Sequence, residues 1–170
     1  MLCVFIRRVL GARENGKVTM LFPLLAQKPD LIGRKLKALG FHISFANYDQ
    51  ASKTYRTSPK ACLSLLRTTV ESLNEENIRA KGLTPAANHK DRLSQIVTLG
   101  LVKTISSTDC TTCHHRKLDN EFNLSYDLYG LLSHYGSHTR LVDDPMANFL
   151  FTATASYIWL IINRFEALPP

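Results

Sequence analysis

The chain has 170 residues, of which 45% are hydrophobic and 21% charged, with a formal net charge of +7. That length suits one domain with a real core and is short for two, and the composition excludes a wholly disordered chain. The charge is uneven. Residues 1–60 hold eleven Lys/Arg against three acids, whereas the remainder carries ten bases and eleven acids. The positive field therefore belongs to the N-terminal third, where it would attract phosphate-rich partners such as RNA. No aromatics are interleaved with these charges as a stacking surface, so a solvated basic face is the plainer expectation.

Met1-Leu-Cys-Val-Phe-Ile-Arg7-Arg8 places five apolar residues ahead of its charges, the wrong order and too short for a secretory signal, so a cytoplasmic location is expected. Residues 1–20 lack a clear period, and Glu14-Asn15-Gly16-Lys17 predicts a turn. Asp30–Leu39 predicts a short basic helix stopped by Gly40, with Arg34, Lys35 and Lys37, and Arg140 far along the chain, as candidate nucleic-acid contacts. Phe41-His42-Ile43-Ser44-Phe45 alternates with period two and predicts an extended segment. Tyr48–Arg56 is weakly helical.

Ser58-Pro59 supplies an N-cap hydroxyl and a proline at the first helical position. Beyond it Cys62, Leu66, Val70 and Leu73 share one face, widened by Leu63 and Leu65, and the helix is expected to end between Ile78 and Gly82. Arg67 and Glu71, spaced i, i+4, are placed to pair. Thr84–Lys90 predicts a loop, and Asp91–Leu99 a capped helix stopped by Gly100. Helical spacing resumes from Glu121 to Tyr135 through Phe122, Leu124, Leu128, Leu131 and Leu132, and Gly136 is expected to break it. Asp143-Asp144-Pro145 starts a last helix running to about Phe165.

That last helix contains seventeen residues, Met146–Ile162, without a formal charge, near the lower limit for crossing a bilayer. Its bulkiest side chains, Met146, Phe149, Leu150, Tyr157, Leu160 and Ile161, keep helical spacing, so a central bundle helix is expected and no membrane partner. The expected fold is all-α, a four- to five-helix bundle with a basic, partly irregular N-terminal extension. The division is expected at 47/48, the extension being 1–47 and the bundle 48–170.

Two clusters carry candidate chemistry. Cys110-Thr-Thr-Cys113-His114-His115 matches the C-x-x-C-H spacing of haem attachment, which would require an export that nothing directs. As a zinc site Cys110, Cys113 and His114 lack a second ligand pair, and a fourth ligand would have to come from Cys3, His42 or His89. A polar loop without metal or other cofactor is therefore expected. Cys62, within an apolar helical run, is expected to be a small buried hydrophobe. The second cluster, Ser133-His134-Tyr135-Gly136-Ser137-His138-Thr139-Arg140, sets two histidines four residues apart at a helix junction, where imidazoles can act as acid, base or phosphate donors.

Ser58–Leu73 with its Arg67 and Glu71, the Leu93–Leu99 helix, and the Gly136-Ser137-His138 corner before a final apolar helix together resemble the helical HEPN domains of bacterial abortive-infection and related prokaryotic families. The resemblance covers roughly residues 48–166. It implies a four- or five-helix bundle, often a homodimer, and in active members metal-independent RNA cleavage. The family motif is an arginine, four to six residues, then histidine. Counting back from His138, those positions hold His134, Ser133 and Leu132, and Arg140 lies on the wrong side. Three functions follow in order: a non-catalytic nucleic-acid- or protein-interaction module linked to defence or toxin systems; a ribonuclease using His138 and His134, buttressed by Arg67 and Glu71; and a zinc-stapled regulatory protein.

Overall fold

A computed structural model describes residues 13–14, 17–18, 29–104, 121–137 and 142–169. The fold is all-α. Six helices are present among the described residues: α1 (Pro29–Ala38), α2 (His42–Thr54), α3 (Pro59–Ala80), α4 (His89–Thr98), α5 (Glu121–Ser137) and α6 (Asp144–Ala167). Ahead of them β1 (Arg13–Glu14) and β2 (Lys17–Val18) pair antiparallel, Glu14 opposite Lys17, and Asn15 and Gly16 of the expected turn lie outside the described residues.

Helix ends follow local chemistry. Gly40 and Gly100 take φ of +76° and +75°, and the next amide in each case, Phe41 or Leu101, donates back to Leu36 or Ile96. This is the left-handed closure that only glycine makes without Cβ strain. Asp143 accepts from the Met146 amide at 2.8 Å and starts α6 as expected. Ser58 occupies the N-cap of α3 without a side-chain hydrogen bond, so Pro59 alone sets that start. The cap of α4 is Asn88, whose Oδ1 accepts from the Asp91 amide at 2.9 Å, so the helix starts at His89, two residues earlier than the expected start at Asp91.

The extended segment expected at 41–45 is helix. Here α2 begins at His42 because a carboxylate from another helix caps it: the Ile43 and Ser44 amides donate to Glu76 of α3 at 2.9 and 3.1 Å, and Ser44 Oγ donates to the same side chain. Two orphan amides and the positive helix end thus meet a charge supplied from 32 residues away. The period-two pattern was too short to compete with that cap.

The division expected at 47/48 falls inside α2. Ile32, Leu36 and Phe41 join Tyr48, Leu63, Leu66, Leu73, Leu150, Ile158 and Ile161 in one buried cluster, so α1 and α2 belong to the bundle core. The centre is α3, which packs against α2, α4, α5 and α6. Of its expected apolar face, Cys62, Leu63, Leu66, Val70 and Leu73 are buried and Leu65 is half-buried against the core. Burial pushes the Cys62 thiol up to about 12, which keeps it protonated and inert, as expected for a small core hydrophobe. Each large side chain removed from water contributes roughly 1.5–3 kcal/mol.

Length and apolarity would let α6 cross a membrane, and 56% of its most apolar window is buried inside the bundle. Its packed face is shifted from the expected one. Leu150, Tyr157 and Ile161 are buried as expected, joined by Phe151, Ala155, Ile158 and Ile162, whereas Phe149 is exposed and Met146 and Leu160 only half-buried. In the same way α5 buries Ser125, Leu128, Leu132 and Gly136, and leaves Leu124 and Leu131 outside.

Candidate functional site

The corner expected to break at Gly136 is continuous helix: α5 runs through Gly136 to Ser137. The glycine is there for contact. A Cβ on Gly136 would lie 2.7 Å from the backbone nitrogen of Ser64 and 2.9 Å from its Cα, so α5 crosses α3 backbone against backbone at this point. His138 and Arg140 lie outside the described residues, as do Cys110, Cys113 and His114. Among the described residues no group of three or more His, Cys, Asp or Glu side chains could hold a metal ion.

Close approach at Gly136 brings the polar edge of α3 against one stripe of α5. Phe122, Tyr126, Tyr129, Ser133 and Ser137 recur at spacings of four, three, four and four residues, which puts them on one side of the helix. Arg67 Nη1 donates to Ser137 Oγ at 3.1 Å, and Tyr129 Oη donates to Glu71 Oε1 at 2.5 Å. The expected Arg67–Glu71 pair is absent, since each residue is engaged across the interface. His134 follows Tyr129 by five residues, about 140° around the helix, and so sits off this stripe. It is half-buried with its ring edge-on to Tyr135.

The stripe has a third partner. His89, the first residue of α4, stacks on Tyr129 with ring centroids 3.5 Å apart and planes 11° from parallel. Neither His89 ring nitrogen has a hydrogen-bond partner, and both are buried. Burial, aided by the nearby Arg92 charge and opposed by Glu71, pushes the imidazole down to about 4. Burial, then the bond and charge of Glu71, pushes the Tyr129 phenol up to about 12. Near neutral pH both rings are uncharged and act as a stacked apolar pair between two arginines and a carboxylate. Arg92 itself is tied down, donating to the carbonyls of Ala86 and Ala87 at 3.1 and 2.9 Å and facing Glu75 at 3.4 Å.

Arg67 and Glu71 thus gather with Tyr129, His89 and Arg92. Sequence spacing had no means of finding Tyr129, which lies 58 residues from Glu71. His89 was named only as a distant zinc ligand, and the stack it forms here leaves its nitrogens buried in an α3–α4–α5 junction. That junction can hold charge and orient groups, but its carboxylate and both its arginines already have protein partners.

The stack has an acid-stability consequence. A folded pKa below the ordinary 6.5 means that protonated His89 is disfavoured in the folded chain, so the stability of the neutral stack is whole above about pH 6.5 and lost as pH falls toward 4. With solvent screening on this partly exposed ring, the loss between pH 7.5 and 5 is expected to be about 1 kcal/mol. His89→Phe, which keeps a ring on Tyr129, should flatten the acid limb of urea stability by that amount. An unchanged limb would place the titration elsewhere.

Of the three basic candidates on α1, Lys35 is committed within the fold. It donates to Asn163 Oδ1 at 3.0 Å, pairs with Glu166, and lies 4.9 Å over the Trp159 ring. Arg34 and Lys37 are exposed, with Lys37 6.0 Å over the Phe45 ring. Compared with family models, curated proteins and solved structures, the chain matches none.

Proposed function

We propose that the chain is a non-catalytic interaction module of the HEPN-like kind, acting in the cytoplasm on RNA within a defence or toxin system. The observation that carries the non-catalytic half is the engagement of Arg67 by Ser137 and of Glu71 by Tyr129. A phosphoryl-transfer site needs a cation free to meet developing charge. Here the arginine and carboxylate of the long helix are used to lock α5 onto α3. The RNA half rests on the basic N-terminal third, with exposed Arg34 and Lys37 as contacts and Lys35 withdrawn by Glu166.

Fluorescence anisotropy with single-stranded RNA tests both halves together with a product gel. Binding is expected to be salt-sensitive, and Arg34→Glu with Lys37→Glu should weaken it about tenfold between them while Lys35→Gln has less effect. The gel should show intact RNA in the absence of metal. Cleavage that His138→Ala abolishes would overturn the non-catalytic reading in favour of a ribonuclease. No affinity at low salt would end the RNA half and leave a protein partner.

A further inference from the structure

The stacking surface that the basic N-terminal third lacks is assembled by the fold elsewhere. Phe122 and Tyr126, one turn apart on α5, hold their rings parallel to within 2° with centroids 6.4 Å apart. The next ring is His89 of α4, 6.4 Å from Tyr126 and tilted by 31°, and beyond it Tyr129 closes the column at 3.5 Å. Four rings from two helices therefore follow one another along the α4–α5 junction. Phe122 and Tyr129 pack against the core, and the His89 nitrogens are buried. Tyr126 differs: it is 46% exposed, outside the buried cluster and flanked by rings. A ring pair at i, i+4 supports a helix only slightly, so stability alone gives little reason for a tyrosine here.

The column begins where the basic face ends. Lys35 of α1 pairs with Glu166 near the end of α6, and Phe41, just past α1, packs edge-on against Phe165. From the same turn of α6, Arg164 reaches the Leu101 carbonyl and Glu121, the residue before Phe122. Lys103, whose amide also donates to Glu121, leaves its side chain exposed. The end of α6 thus bridges exposed Arg34 and Lys37 to Lys103 and the first ring, and Lys90 is exposed beside His89 at the far end. Carboxylates along this path are already engaged. Glu166 is paired with Lys35, Glu121 with Arg164, and Glu75 with Arg79 and Arg92. Glu71 accepts from Tyr129 and Asp91 from Asn88. Asp127 is exposed, but about 100° around α5 from Tyr126 and off the column. Flat rings continuous with a cationic track match a polymer that has a planar base and a negative charge in every unit. A duplex hides its base faces, and a bilayer offers no planar partner to stack.

We propose, resting on the RNA reading for α1, that the Phe122–Tyr126–His89–Tyr129 column stacks unpaired bases of single-stranded RNA whose phosphates run over the end of α6. Tyr126 is the ring that meets a base, and α1 supplies the phosphate contacts. Fluorescence anisotropy on the full chain compares an oligoadenylate of about 15 nucleotides with an abasic phosphoribose chain of the same length. Oligoadenylate should bind about tenfold tighter. Tyr126→Ala should remove that advantage, leaving the salt dependence, the binding of the abasic chain and the helical circular dichroism unchanged. Tyr126→Phe should bind as the wild type does and Tyr126→Leu as Tyr126→Ala does, because a ring is required and bulk is not. Oligoadenylate binding that ignores Tyr126→Ala yet falls in Arg34→Glu with Lys37→Glu would overturn the stacking column and leave the α1 reading standing. Equal affinity for the two polymers would overturn it in the same way. No affinity for either at low salt would end both.

Discussion

Gly136→Ala is expected to cost about 2 kcal/mol, whereas Gly130→Ala, six residues earlier on the same helix, is expected to gain about 0.5–1 kcal/mol. The two differ only in what a methyl group meets. At Gly130 nothing lies within 4 Å of an added Cβ, so alanine simply reduces the backbone entropy that glycine loses on folding. At Gly136 the added atom reaches the Ser64 nitrogen at 2.7 Å, the Ser64 Cα at 2.9 Å and the Leu63 carbonyl carbon at 3.0 Å. All three are backbone, so no rotamer change relieves the clash. The helices must separate, and the propensity gain is outweighed. Separation also loosens the Arg67–Ser137 and Tyr129–Glu71 bonds, which rely on the same close crossing. Urea unfolding of both variants checks this, with the Gly136→Ala melting point expected to fall by about 6 °C. Changes of the same sign at both glycines would mean that α5 and α3 do not touch there.

Arg164→Met is expected to destabilise the fold by about 2–3 kcal/mol, and adding Glu121→Met should recover part of the loss. Arg164 is bidentate on Glu121, at 2.5 and 2.9 Å, and Nη1 also donates to the Leu101 carbonyl at 2.9 Å. Glu121 in turn accepts from the Lys103 amide at 2.8 Å. Three separate pieces of chain are therefore held by one ion pair. Burial alone would raise the Glu121 carboxyl, but the Arg164 hydrogen bonds and charge, with those of Lys103, outweigh it and hold the group below the usual carboxylate range. Its contribution is consequently present above the ordinary carboxylate pKa and lost as pH falls through the depressed one. Removing only the guanidinium strands a half-buried carboxylate, which costs more than removing both partners. Denaturant unfolding of the two single variants and the double variant measures the coupling directly. Additive losses would show that the pair is incidental to the α5–α6 seam.

Much of the fold was legible because it is local. Pro59, Asp143, Gly40 and Gly100 act on neighbours within a turn, so the starts of α3 and α6 and the ends of α1 and α4 follow from chain order. The site was legible only in part. Arg67 and Glu71 were found by spacing, but their partners Ser137 and Tyr129 lie 70 and 58 residues away. Gly136 was misjudged for the same reason. Inside a helix, glycine signals either a break or a close crossing, and only the position of α3 distinguishes them.

The amino-acid sequence by itself determined that this chain is a helical bundle, where α3 and α6 begin and α1 and α4 stop, and that its positive charge gathers in the first third. Those outcomes depend on hydrogen bonds and periodicities spanning a few residues. The tertiary structure alone decided that 42–45 is helix, because Glu76 caps it, and that His89 stacks on Tyr129. It also decided which apolar stripe of α5 and α6 faces the core and which faces outward. A helix that is apolar on most sides can pack in several rotations, and it is the neighbours, through Gly136 and the Glu121–Arg164 clamp, that choose one.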